Sequence, residues 1–341
     1  MGMRVFLLVM VFSVQLFIGF FTGPLNAEPR PIFDGSSEQQ IRIKADLGDA
    51  EAQNNLGVMY SNGKGVVQDD KQAAYWFRKA AEQGYAAAQL ILGLMYIEGK
   101  GDLPKDSSQA VVWFRKAAEQ NLAMAQYNLG VMYAKGEGLR QDNEQAVLWY
   151  LKAAEQGEAI AQNNLGAMYA NGIGVSQDDK QAAFWYSKAA EQGLSTAQNN
   201  LGAMYISGEG VEQDDKQAVI WYRKAAEQGD AEAQNNLAVM YANGKGTIQD
   251  KEQAVFWFHK AADQGEAMAQ LNLGRMYFNG EGVQQDVIQA YMWTDLAAEQ
   301  ALEGAVNAQN NLIKALTALQ IKEGKKLVHE WISTHNLQAA Q

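Results

Sequence analysis

The 341-residue chain contains no cysteine, which excludes disulfides, thiol nucleophiles and cysteine-ligated zinc. It has only three histidines, His259, His329 and His335. The last two are six residues apart, off a common helical face, so no metal site is expected. Proline is scarce as well: of four, only Pro104 falls beyond residue 31, which permits a long helical body. Positive charge is in deficit, with 28 Lys and Arg against 39 Asp and Glu. Residues 1–27 hold one Arg and no acid, leaving 27 bases against 39 acids in the remainder. That balance argues against nucleic acid and anionic lipid as partners. Long apolar runs are absent except for Val5 to Phe21, broken only by Ser13, Gln15 and Gly19.

That run follows Arg4 and precedes Leu25-Asn26-Ala27, a small-residue cleavage site. Residues 1–27 read as a secretory signal peptide, the alternative being an uncleaved signal anchor. The expected location is periplasmic or secreted, in a bacterium, with no membrane insertion once the signal is cleaved. Residues 28–36, with Pro29, Pro31 and Gly35, read as a linker.

The remainder is mostly one sentence repeated. Trp149, Trp185, Trp221, Trp257 and Trp293 are 36 residues apart, and Trp76 and Trp113 are 37 apart because the loop Gly101 to Asp106 is one residue longer. Seven copies fill 49–301, and a fixed period of this length means stacked two-helix units. In the copy Glu158 to Gly193, Ala161, Leu165, Met168 and Tyr169 form one helical stripe (helix A). A second stripe runs through Ala182, Trp185, Tyr186, Ala189 and Ala190 (helix B). Gly172 and Gly174 separate the two, and Asp178 with Gln181 predicts a capping box at the start of helix B. Residues 37–48 read as a half-repeat cap, and 302–341 as a degenerate repeat with a C-terminal helix capped by Thr317.

Each candidate for chemistry has a plainer structural explanation. The Gly-x-Gly loops recur in every copy without a preceding strand, so they are turns and not phosphate cradles. The methionines equivalent to Met168 are core filler. Acid pairs such as Asp178-Asp179 cap a helix and meet its positive end. No catalytic residue, metal or cofactor is expected.

The residues that change between copies lie on helix A opposite its constant stripe. They nominate a ligand-binding face: Asn54, Leu90, Leu94, Ile97, Tyr127, Asn163, Asn199, Asn235, Leu271, Arg275 and Phe278. An asparagine ladder with apolar residues beside it suits an extended peptide; the alternative is a solvated face that drifts freely.

The unit A-x-A-Q-x-N-L-G-x-M-Y-x-x-G-x-G, with W-x-x-K-A-A-E-Q-G at its end, resembles the Sel-one-like repeat, a relative of the tetratricopeptide repeat, across 49–301. The resemblance implies an all-α, right-handed α/α superhelical solenoid serving as an adaptor for protein complexes, and exported bacterial members are common. Some cysteine-rich relatives are linked to β-lactam binding, but this chain lacks their cysteines. The expected function is an exported, non-catalytic scaffold for a protein or peptide, with an envelope hydrolase acting on peptidoglycan or β-lactams as the alternative.

Overall fold

The computed structural model describes residues 37–339, and every regular element in that range is a helix. The expected signal segment and linker lie outside the described residues. A first helix, α1 (Ser37–Asp46), precedes seven pairs. The A helices are α2 (Ala50–Asn62), α4 (Ala86–Glu98), α6 (Ala123–Lys135), α8 (Ala159–Asn171), α10 (Ser195–Ser207), α12 (Ala231–Asn243) and α14 (Ala267–Asn279). The B helices are α3 (Asp70–Glu82), α5 (Ser107–Glu119), α7 (Asn143–Glu155), α9 (Asp179–Glu191), α11 (Asp215–Glu227), α13 (Lys251–Asp263) and α15 (Val287–Glu299). Two more, α16 (Glu303–Ala315) and α17 (Ala318–Ala339), close the chain. The helices form two compact units that divide inside α9, after Trp185. In the first unit α2 packs on α3, α3 on α4, and so on to α8; the second repeats this from α10 to α16.

Local chemistry sets the helix ends. Each A helix stops at a glycine in the left-handed region, as at Gly172 (φ 65°), whose place in the turn an L-residue would strain. The second glycine of each loop answers to sterics: a Cβ on Gly138 would lie 2.3 Å from the Ser107 carbonyl oxygen. The loop of one copy therefore lies directly on the first turn of the preceding B helix. At the start of α3, Asp69 Oδ1 accepts from the amides of Lys71 and Gln72 at 2.9 and 3.1 Å.

The capping box is only half made there. The Asp69 amide donates to the Tyr60 carbonyl at 2.9 Å, and Asp106, Asp142, Asp214, Asp250 and Asp286 do likewise to the matching tyrosine of their own A helix. With that amide occupied, the glutamine three residues on has nothing to reciprocate. The complete box occurs at α17, where the Thr317 amide donates to Gln320 Oε1 (2.9 Å) and the Gln320 amide to Thr317 Oγ1 (3.3 Å).

Within most copies, the aromatic residue after the tryptophan seats on the A-helix glycine; in the last copy Thr294 takes its place against Gly274. A Cβ on Gly57 would come within 2.8 Å of the Phe77 ring, and one on Gly130 equally close to Tyr150. Buried alanines let the backbones approach. Between copies the apolar core runs on, and a polar contact accompanies it. Gln89 Nε2 donates to the Ala81 carbonyl of the preceding B helix (3.1 Å), while its Oε1 accepts from Gln120 at the end of its own copy (2.8 Å). Gln53, Gln126, Gln234 and Gln270 repeat both bonds. Gln53 uses Ala45 of α1, so α1 stands in for a missing B helix. The tail is different: α17 packs on α15, with Gly324 against the Tyr291 ring and Trp331 edge-on to Trp293.

Candidate interaction site

The helix A face divides into parts that the sequence did not separate. Asn54, Asn163, Asn199 and Asn235 are buried, at 7%, 5%, 4% and 8% exposure, so the expectation that they stand away from the packing is corrected. In the second unit the reason is explicit. Asn199 Oδ1 accepts from Asn236 Nδ2 of the next copy at 3.0 Å, and Asn235 from Asn272 at 3.1 Å. There the ladder bonds copy to copy. Asn54 breaks the pattern: Ile91 occupies the place of Asn236 in the next copy, and Asn54 Oδ1 is buried without a donor.

Leu90, Leu94 and Ile97 lie along α4, half-buried against the apolar core of the first unit. Tyr127 is half-buried too, its ring 6.0 Å from that of Tyr150. Burial, and secondarily the nearby Glu158 carboxylate, push its hydroxyl up to about 12. In the second unit Leu271 is half-buried, whereas Arg275 and Phe278 are exposed on α14 beside the exposed Met268. The structure thus groups Leu90, Leu94 and Ile97 on one helix and Leu271, Arg275 and Phe278 on another. The asparagines are buried, and Asn199 and Asn235 belong to the framework between copies.

Carboxylates missed by sequence reasoning border the same face. Burial raises the pKa of Glu158, opposed by a hydrogen bond from the Ile160 amide. Glu232 is raised by burial and by Asp230, opposed by its bond with Asn199. Glu266 is raised by burial although the Ala269 and Met268 amides bond it. Their signal was present in the sequence: Glu158 and Glu266 directly precede helix A of the fourth and seventh copies, and Glu232 is the second residue of helix A in the sixth. Neighbouring copies are also tied by Arg78 donating to the Tyr96 hydroxyl (3.1 Å), Arg115 to Tyr133 (2.9 Å) and Arg223 to Tyr241 (2.7 Å).

The histidines have local structural contacts. His259 Nε2 lies 3.4 Å from the Tyr277 hydroxyl, His329 Nδ1 2.9 Å from the Lys325 carbonyl, and His335 stacks on Trp331. No cluster of three or more metal-binding side chains occurs among the described residues, and no helix there is long and apolar enough to cross a membrane.

Short helix pairs, joined by double-glycine turns and stacked through a repeated glutamine bond, define an all-α repeat solenoid. The Sel1 repeat model matches residues 50–85, 86–122, 123–158, 159–194, 195–230, 231–266 and 267–302, and the chain belongs to the Sel1 repeat family. Such repeats typically mediate protein interactions and are generally non-catalytic. A Sel1 repeat protein from Oxalobacter formigenes is 39% identical, with 83% of each chain covered and a TM-score of 0.65. The protein c5321, a protective antigen of uropathogenic Escherichia coli with the same fold, is 30% identical over 86% of this chain and 94% of its own, with a TM-score of 0.51. No curated protein matches the chain.

Proposed function

We propose that this protein is an exported scaffold that holds a protein or peptide partner on its helix A face. The observation that carries this reading is the apolar surface left on A helices after the core is complete: Leu90, Leu94 and Ile97 half-exposed on α4, and Met268 and Phe278 exposed on α14. On each helix taken by itself such a row accepts apolar anchors of a bound chain, and on α14 Arg275, between Met268 and Phe278 in the sequence, offers a forked donor to a carboxylate or carbonyl. Because the asparagines are used internally, affinity rests on these side chains and not on an amide ladder. The hydrolase alternative gains no support from the described residues, whose histidines pair with framework groups.

Crosslinking and mass spectrometry in the native envelope should place partner peptides on α4 and α14. The double variant Arg275→Ala/Phe278→Ser removes two exposed side chains of α14, so it should keep its melting temperature and lose the crosslinks on α14. Unchanged crosslinks would refute the assignment of the face. Export is tested separately: amino-terminal sequencing of the mature protein should begin at Glu28, and recovery of intact Met1 in the cytoplasmic fraction would refute it.

A further inference from the structure

Helix B carries a second repeating pattern, on the side away from the core. The residue before each tryptophan is apolar and half out of the fold: Tyr75 (49% exposed), Val112 (44%) and Leu148 (49%) in the first unit. Three residues after every tryptophan from Trp76 to Trp257 stands a lysine. Lys79 lies 4.7 Å over the Tyr75 ring, and Lys116 and Lys152 lie 4.0 and 4.2 Å over Trp113 and Trp149. The ammonium groups are thereby held beside the apolar row.

The last copy shows what such a row does when it is occupied. There the residue before the tryptophan is Met292, only 7% exposed, and the lysine is replaced by Leu296 at 4%. The cover is α17: Gly324 on Tyr291 and Trp331 on Trp293 bracket Met292, and Val328 joins it in one apolar cluster. The same helical position thus already takes a docked helix, bounded by hydrocarbon where the other copies present ammonium.

We propose that Tyr75, Val112 and Leu148 form a docking surface for an amphipathic helix of a partner protein, its apolar stripe flanked by carboxylates. The α15–α17 interface, built at the same helical position of a B helix, argues for a helix. The lysine beside each apolar residue, in a chain of net charge −11, argues for acidic flanks on that helix. That interface, where a B helix is covered by a helix, likewise favours a helix over an anionic lipid surface.

The test uses the full chain and two fluorescent helical peptides of the length of α17, each with a Leu stripe, one flanked by Glu and the other by Lys. The Glu-flanked probe should bind saturably, and Tyr75→Ser/Val112→Ser/Leu148→Ser should weaken it about tenfold or more. The charge reversal Lys79→Glu/Lys116→Glu/Lys152→Glu leaves the apolar row intact and should switch preference to the Lys-flanked probe. Circular dichroism confirms that both variants are helical; should the serine variant unfold, the charge reversal decides alone. The proposal is overturned if the two probes bind equally, or if the reversal does not switch their order. It is also overturned if the row instead governs binding to phosphatidylglycerol vesicles, or concentration-dependent self-association.

Discussion

At the residue scale, the polar side chains inside the array hold the copies in register. A buried amide with both groups bonded is stabilising, whereas one left unbonded carries the full desolvation cost. Asn54 and Asn235 occupy the same place in different copies and should respond oppositely. Asn54→Leu removes an acceptor with no donor, at a position where the second and seventh copies already use Leu90 and Leu271. It should raise stability by about 1 kcal/mol. Asn235→Leu strands Asn272 and should cost about 1–3 kcal/mol. Paired chemical denaturation curves will check this, and shifts of the same sign would contradict it.

Glu158 provides a pH test at the same scale. Its folded pKa is raised above the ordinary 4.5 by burial, so between the two values the folded state binds the extra proton. The resulting destabilisation is present above the raised value and is relieved as pH falls through it toward 4.5. Glu158→Gln should therefore be the more stable protein at neutral pH, with the difference shrinking on acidification. Melting temperatures of both proteins across that window will decide, and a gap that widens on acidification would reverse the sign.

At the element scale, helix and turn were legible in the sequence because periodicity, aspartate caps and glycines act within a few residues of chain. The repeat boundaries, the αL glycines and the Thr317 cap all depend on such local physics. The asparagine face was misread for a different reason. A helical wheel divides a helix into a packed side and an open side, but a solenoid helix is flanked by neighbouring copies as well, and Asn199 meets Asn236 across that flank. The spacing of Asn236 behind Asn199 held the clue, readable only once two copies are laid side by side. Nor does one B helix foretell its cover: Met292 is apolar like its counterparts, and only α17 distinguishes it.

The two glycine classes can be separated by substitution. Gly138 has positive φ and no room for a Cβ, whereas Gly157 has positive φ with nothing within 4 Å. Gly157→Ala should cost only backbone strain, about 1–2 kcal/mol. Gly138→Ala adds displacement of the Ser107 backbone and should cost about twice as much or more. Thermal melts of the two variants should rank them in that order.

At the scale of the whole molecule, identical junctions make copies interchangeable. Removing residues 123–158, one full copy, joins α5 to α8 with Gln162 in the place of Gln126, so the backward bond to Ala118 can re-form. Such a protein should remain folded and helical with a modestly lower melting temperature. Deleting only 123–140 would place one B helix directly after another, with no A helix between them. That variant should melt far lower or fail to fold, and equal melting of the two would contradict the stacking scheme.

The docking of α17 has a consequence for how this chain sets its own length. Every copy before the last ends in a surface that admits one more copy, so nothing in those copies counts to seven. The last copy is set apart by several exchanges at once, Thr294, Asp295 and Leu296 all being buried, and by α17 packed on α15. Duplications upstream of that copy would therefore lengthen the protein while leaving the packing of α16 and α17 on α15 untouched.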